Sequence, residues 1–419
     1  PIIGANIVVK GTTNGTITGV DGDYSLKAPV GSVLEISFIG YKTVTVKAVA
    51  GLQKIRLQED SSLLDEVVVV GYGTQKKVNL SGAVDAISSE ALEDRPIINA
   101  GQGLQGVIPN LNITISNGAA NSTPSFNIRG ETSLNGGDPL ILVDNIPTTS
   151  GELSRLNTND IESVSVLKDA ASASIYGVRA ANGVILVTTK RGGEQKPTIT
   201  YSGSIALQEA TVLPDYVNSY EWAKMYNECW PSKAYTDDML QKLQNGSDPD
   251  HFANTNWAKE MFRTAAMHQH HLSVNGGSKA VHYMISTQYF QQDGILRETA
   301  NQRFNFRSNL DAQLGIVKLG LNLSGSRQNI DEPTTSVTGE GLMRYLTWFT
   351  RPTVPVRYSN GHYGFLDGNP NISQSVFKNP IEALNMGYKD NKHYRFDGKF
   401  FGEIDIMKGL KFRSSLAYK

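Results

Sequence analysis

The sequence predicts a mainly β protein: a small β-sandwich domain, an α+β domain, and the first strands of a large transmembrane antiparallel β-barrel. Three observations carry this expectation. Short strand signals punctuated by turn residues fill 1–60. Apolar strands, frequent glycines and an Ala-rich helix signal mix across 77–192. From 193 to 419, long stretches alternate between apolar and polar residues.

In the first part the strand signals are Ala5 to Lys10, Gly15 to Thr18, Tyr24 to Lys27, Val33 to Ile39, Thr43 to Lys47 and Lys54 to Leu57, with Asp21-Gly22 as a hairpin signal. Five or six short strands at regular spacing suit a small sandwich, either a spacer or a binding module. Residues 61–76 read as a linker holding Asp65-Glu66-Val67-Val68-Val69-Val70-Gly71-Tyr72-Gly73. Four valines in a row favour extended backbone. Such a strand either sits in a core or adds to a partner's sheet edge. In 77–192, Pro139 to Val143 is an apolar strand ending at Asp144-Asn145. Ile161 to Leu167 alternates, Lys168 to Tyr176 signals a short helix, and Gly183 to Lys190 is a further strand.

The last part is the most informative. Across 302–314 the odd positions Arg303, Asn305, Arg307, Asn309, Asp311 and Gln313 are polar, while Phe304, Phe306, Leu310, Ala312 and Leu314 lie on the other face. The same design recurs at 317–324, in the hairpin from Tyr394 to Lys419 and at 279–290, and it begins near Ile199 and Tyr201. These strands reach about 12 to 15 residues, against about 5 or 6 in ordinary sheets. Turns near 276–278, 315 and 407–409 are tiny, whereas 209–266, 291–301 and 328–392 are longer connections. Short turns at one end and long loops at the other are the pattern of an outer-membrane barrel, whose backbone must be fully paired in lipid. The competing reading is a large soluble sheet with one wet face.

Composition narrows the function classes. Lys+Arg is 39 and Asp+Glu is 40, a net charge of -1, so no global field draws nucleic acid. Charged residues are 19% of the 419, which disfavours a disordered chain. No apolar run approaches the roughly 18 residues of a spanning helix, which leaves spanning strands open. Cys229 is the only cysteine, so no internal disulfide and no Cys-based metal site can form. Pro1 to Ala5 reads like the middle of a β-domain and Lys419 falls inside a strand pattern. The chain is therefore expected to be a fragment of a longer protein.

Taken together, these motifs resemble the N-terminal part of a SusC/RagA-like TonB-dependent outer-membrane transporter of Bacteroidota. Residues 1–60 resemble its carboxypeptidase-regulatory-like sandwich, and 61–76 its TonB-box region. Residues 77–192 resemble its plug domain, through Leu104 to Leu111, Ile128-Arg129-Gly130, Pro139 to Asp144, Ile161 to Asp169, Tyr176-Gly177, Ala180-Ala181-Asn182-Gly183 and Thr188 to Gly192; 193–419 resemble a partial barrel with long extracellular loops. The resemblance implies that Asp65, Glu66, Val67, Val68, Val69, Val70, Gly71, Tyr72 and Gly73 interact with TonB of the TonB-ExbB-ExbD system. It implies plug roles for Arg129, Gly130, Asp144, Tyr176, Gly177, Asn182 and Gly183. It also implies a 22-strand barrel in outer-membrane lipid, a SusD-like lipoprotein partner, and import of a glycan. An oligopeptide is the alternative substrate, and a non-transporting surface adhesin the alternative class.

Other constellations point elsewhere only weakly. His268 and His270 share a strand face and His271 points away, so a metal site lacks a third ligand, and polar rim residues are the preferred reading. Asp237-Asp238 and Ser247 to Asp250 read as solvated loop acids rather than a cation site. The glycine pairs lack a nucleotide-binding context, and no nucleophile or paired-acid set converges, so neither an enzyme nor a cofactor is expected. Trp222, Trp230, Trp257 and Trp348 fall in the long loops, either as partner and substrate contacts or as loop packing.

Overall fold

Strand alternation means different things in different parts of this chain, and burial tells them apart. The structure is a computed structural model. It describes residues 2–12, 14–38, 41, 43–58, 67–70, 73–76, 84–92, 99–115, 119–120, 122–128, 130, 137–333, 350–372, 379–407 and 409–419. The chain separates into two units, Pro1–Val84 with Leu167–Val178, and Asp85–Val166 with Arg179–Lys419.

In the first unit, β1 (Asn6–Val9), β2 (Gly15–Ile17), β3 (Val33–Ser37) and β4 (Val44–Lys47) form an antiparallel sheet in the order β2-β1-β3-β4. Ile7, Val9, Leu34 and Ile36 supply one buried face. The expected strands at Tyr24 to Lys27 and Lys54 to Leu57 lie outside this ladder. They still turn Tyr24, Leu26, Ile55 and Leu57 onto its core at every second residue. The side chains therefore keep the period of two that the sequence displays. Separately, β5 (Val67–Val70) pairs antiparallel with β6 (Gly73–Lys76) as a two-stranded ribbon.

In the second unit, β7 (Val84–Ser88) precedes the pair β8 (Leu111–Thr114) and β9 (Ser125–Ile128). Then follow β10 (Leu140–Val143), β11 (Ile146–Thr148), β12 (Ile161–Leu167) and β13 (Val184–Thr189), in a sheet ordered β11-β10-β13-β12-β7. β10 and β13 are parallel, and their Ile141 and Ile185 join Leu104, Leu153, Ile161 and Val164 in one apolar core. Helix Ser150–Arg155 starts with a capping box between Thr149 and Glu152.

The remainder is a seven-stranded antiparallel sheet in strict sequence order: β14 (Gln195–Gln208), β15 (Ala265–Gly277), β16 (Val281–Asp293), β17 (Ala300–Leu314), β18 (Val317–Pro333), β19 (Tyr388–Met407) and β20 (Leu410–Tyr418). Gly315 and Gly409 adopt positive φ in the tight turns. At the opposite end, helices Ser219–Cys229, Asp237–Asn245, Trp257–Met261 and Pro380–Asn385 fold within the long connections.

The burial of this sheet is inverted relative to a soluble one. On β17, Phe304 is 50% exposed, Phe306 41%, Leu310 40% and Leu314 59%, whereas Arg303 is 4%, Asn305 7%, Arg307 7%, Asn309 1% and Asp311 7%. Apolar side chains face out, and the polar ones are covered.

Candidate functional site: the seat of the α+β domain on the strand wall

What covers the polar face is the α+β domain, and β17 is the line of contact. Every second residue from 301 to 311 reaches it. Asn301 Nδ2 donates to Ala120 O at 2.8 Å, Arg303 Nη1 to Ser154 O at 2.9 Å, and Asn305 Nδ2 to Arg155 O at 3.0 Å. Asn309 Nδ2 donates to Lys190 O at 2.8 Å and Thr189 Oγ1 at 3.1 Å. Arg191 Nη1 donates to both carboxylate oxygens of Asp311 at 3.0 Å. Backbone carbonyls of the domain thus find donors on the wall, which is how buried polar groups are tolerated.

Asp144 sits at the centre. It follows β10 at the first position of a tight turn in which Asp144 (φ 49) and Asn145 (φ 66) are both left-handed. That type of turn favours Asp and Asn and returns the chain directly into β11. The Asp144 carboxylate accepts from Thr189 N at 3.1 Å and Thr189 Oγ1 at 2.6 Å. Arg307 Nη1 lies 3.4 Å from Asp144 Oδ2, with its Nε 3.9 Å from Asp160 Oδ2. His271 Nε2 approaches Asp160 Oδ1 at 3.2 Å, and Lys399 Nζ donates to Asp144 O at 2.5 Å. Strands β15, β17 and β19 therefore each send one basic side chain to two acids of the domain. A cavity of about 70 Å³ lies beside them, lined by Asp144, Asn157, Asp160, Arg307 and Asn322 among others. At its edge Arg155 Nε donates to Gln328 Oε1 at 2.6 Å, Arg395 pairs with Glu152, and burial lowers the Arg155 pKa from its ordinary value.

The other residues expected to matter in this domain are backbone devices. Gly130 (φ 86) and Gly183 (φ 90) are left-handed, and Gly183 accepts from Leu140 N at 3.0 Å. The amide of Asn182 occupies the place where a side chain on Gly137 would start, so glycine is required there. Half-buried Tyr176 precedes Gly177, whose φ 68 and ψ −157 interrupt a run of 3-10 turns, so the expected helix at 168–176 is short and broken. Arg129, Asp65, Glu66, Gly71 and Tyr72 lie outside the described residues. Val67, Val68, Val69 and Val70 pair with Gly73 to Lys76, and among the described residues no third strand covers the ribbon.

The histidines divide as the strand period demands. His268 and His270 face outward with Tyr201, whose hydroxyl is 2.8 Å from His270 Nδ1. His271 points inward. The rim reading therefore does not hold for His271, which binds the α+β domain. Among the described residues, no group of three His, Cys, Asp or Glu is placed to hold a metal ion. The loop acids are engaged locally: Asp238 with Lys242 at 2.8 Å, Asp248 with His251 at 2.8 Å, and Asp250 with Ser359 at 2.5 Å.

The long connections fold onto each other as a lobe. Trp257 is buried with Met261, Val354 and Leu384, and its indole N–H donates to Arg351 O at 2.8 Å. Trp222 stacks on Tyr226 with ring centres 5.1 Å apart. The Tyr235 hydroxyl donates to Asp367 at 2.5 Å; burial and then the Asp367 charge push its pKa up, so it stays a neutral donor. Packing thus accounts for Trp222 and Trp257. Trp230 is exposed, and Trp348 lies outside the described residues. Sequence reasoning missed Asp160, which precedes β12 with no motif to mark it, and the inward apolar residues Phe290, Met284 and Phe401, which break the alternation; Phe401 lies under Arg191 of the domain and Phe290 under Arg303 of the next strand.

Comparison with known proteins defines the class. Residues 76–184 match the TonB-dependent Receptor Plug Domain, and residues 1–69 match the CarboxypepD_reg-like domain. The chain is 34% identical to TonB-dependent receptor SusC of Bacteroides thetaiotaomicron over 97% of this chain and 41% of that protein. It is also 34% identical to TonB-dependent receptor P26 of Formosa agariphila, over 95% of this chain and 39% of that protein. Among solved structures, the RagAB peptide importer in its open-open state superposes with a TM-score of 0.70 at 25% identity, covering 84% of this chain and 42% of that one. These matches place the chain among the SusC-like TonB-dependent receptors, a class of receptors and transporters rather than enzymes. It spans about two fifths of the length of the relatives it matches.

Proposed function

We propose that the protein is a TonB-dependent importer of the outer membrane of a Gram-negative bacterium. Its plug closes a strand wall whose outer side meets lipid. The observation that carries this reading is the inverted wall: phenylalanines and leucines outward, and a charged inner face bonded to the plug at alternate residues of β17. The ten residue steps from Phe304 to Leu314, at about 3.4 Å each and a tilt of about 40°, span about 26 Å, which suits an apolar band about 25 Å tall. A plugged pore needs an outside source of work, because the outer membrane holds no nucleotide. The segment Asp65 to Gly73 is the proposed handle. Among the described residues its valine strand is paired on one edge only, which leaves an edge for TonB to extend.

The proposed cargo is an oligosaccharide, captured with a SusD-like surface lipoprotein that docks on the lobe of long loops. An oligopeptide is the second reading, favoured by the likeness to the RagAB peptide importer. Deleting residues 65–73 and measuring uptake and surface binding separately tests the import reading. The expected result is lost uptake of labelled substrate with binding retained; unchanged uptake contradicts it. Running labelled oligosaccharides and oligopeptides side by side in the unmodified strain separates the two cargoes.

A further inference from the structure

Arg191, Arg307 and Arg395 each meet a carboxylate at the seat: Asp311, Asp144 and Asp397 respectively, with Glu152 a second partner of Arg395. Arg155 does not. Among the described residues no carboxylate pairs with it, although burial already disfavours its charged form. A covered charge without a counter-charge is costly, so this position needs another explanation. The one side-chain hydrogen bond of Arg155 to the described residues runs from Nε to Gln328 Oε1 at 2.6 Å. Gln328 Nε2 in turn donates to Asn301 Oδ1 at 3.0 Å, and Asn301 Nδ2 to Ala120 O at 2.8 Å. This chain holds one edge of the guanidinium and leaves its two terminal nitrogens without a partner among the described residues. That remaining edge has the fork shape that pairs with two oxygens of one anion.

A second cavity, of about 40 Å³, shares Arg155 with the one beside Asp144. It lies at the long-loop end of the wall, level with Asn301, Arg303 and Gln328. Arg303 brings a second positive charge to its lining, and none of the described lining residues is Asp or Glu. Ser122 brings a hydroxyl whose oxygen is buried with no hydrogen-bond partner among the described residues. Ile330 is the only large apolar side chain in the described lining; amides and hydroxyls supply most of the rest. Two like charges in one small polar cavity favour an anion between them. We infer that this cavity binds one anionic group, a carboxylate or a sulfate, of an oligosaccharide cargo. Arg155 holds two of its oxygens, Arg303 adds charge, and Ser122 donates its hydroxyl. Cargo arriving from the side of the long loops meets this end of the seat first. A lining of amides and hydroxyls suits a sugar better than an apolar peptide side chain. The inference rests on the import reading above and narrows its cargo to acidic oligosaccharides.

The test titrates the full-length protein in detergent, by calorimetry, with uronic-acid and sulfated tetrasaccharides, their neutral counterparts, tetraglutamate and sodium sulfate. An acidic sugar should bind about tenfold or more tightly than its neutral counterpart, the effect of one hydrogen-bonded charge. Arg155→Gln should remove that preference by weakening the acidic sugar about tenfold while leaving the neutral one unchanged. Ser122→Asp removes none of the side-chain bonds between wall and domain and sets a like charge in the cavity. It should abolish binding of the acidic sugar, and it keeps the test open where Arg155→Gln fails to fold. Equal affinity for acidic and neutral sugars overturns the site, as does a preference that survives both variants. Sodium sulfate competing as well as the acidic sugar, or tetraglutamate binding in its place, overturns it too. Uptake by cells separates the two levels. Sugar uptake that needs residues 65–73 but ignores Arg155→Gln sinks only this site. No uptake of any sugar, acidic or neutral, through residues 65–73 sinks the oligosaccharide-import reading and the site together.

Discussion

The four-stranded sheet of residues 6–47 and the wall of residues 195–418 use one alternation in opposite senses. In the first, Ile7, Val9, Leu34 and Ile36 point into a core. In the second, Phe304, Phe306 and Leu310 point away from the protein, and Arg303, Arg307 and Asn309 are the buried ones. A period of two fixes which residues share a face, but not which face meets solvent. Strand length, mixed charges concentrated on one face, and long loops at one end only decide that question here.

The comparison breaks most sharply at the buried charges. Arg307→Ala leaves Asp144 and Asp160 facing His271 and Lys399 without the bridging cation, and loss of one partner from a buried pair costs about 3–5 kcal/mol. The plug should then release at lower denaturant, read by protease nicking of residues 85–190 while the strand wall stays intact. Next comes the outward face. Leu310→Lys places a charge mid-band and should destabilise insertion into bilayers by about 2–4 kcal/mol, measured by reversible folding into vesicles. Lysine at exposed Ile17 of the small sheet should change stability by less than about 0.5 kcal/mol. Below the Leu310→Lys effect, Tyr235→Phe removes one of the two hydroxyl donors to Asp367 and should cost the loop lobe about 1–3 kcal/mol, seen as faster amide exchange in 235–245. Smallest is the pH response of the same lobe. The hydrogen bond from His251 lowers the Asp248 pKa, so its stabilising effect is present above the ordinary Asp range and fades as pH falls through the lowered value. Amide exchange around 248–253 should rise slightly in acid and lose that response in Asp248→Asn.

Much of this was legible in the residues. All seven long strands, their tight turns and the polar face of β17 follow from alternation and turn chemistry alone. Asp144-Asn145 could be read as a strand end, because both residues tolerate the left-handed turn that ends β10. The pairing of that turn with Arg307 could not, since 163 residues separate them and no local pattern encodes contact at that distance. Nor could the partner of His271: the strand period sets it on the face opposite His268 and His270, but only the identity of the covering domain makes it a partner of Asp160. Phe290 and Phe401 were obscured for the same reason, because on a mostly polar face they are covered by guanidinium groups that no local pattern pairs with them, Arg303 over Phe290 and Arg191 over Phe401.

The central claim is that the apolar side of the wall meets hydrocarbon while its ionic side meets the plug. A cysteine scan of residues 304–314 in a Cys229→Ser background, fluorescently labelled in bilayers containing brominated lipid, tests it most directly. Strong quenching is expected at Phe304, Phe306, Leu310 and Leu314 and weak quenching at Asn305, Arg307 and Asn309. Equal quenching along the strand, or the reverse alternation, would contradict it.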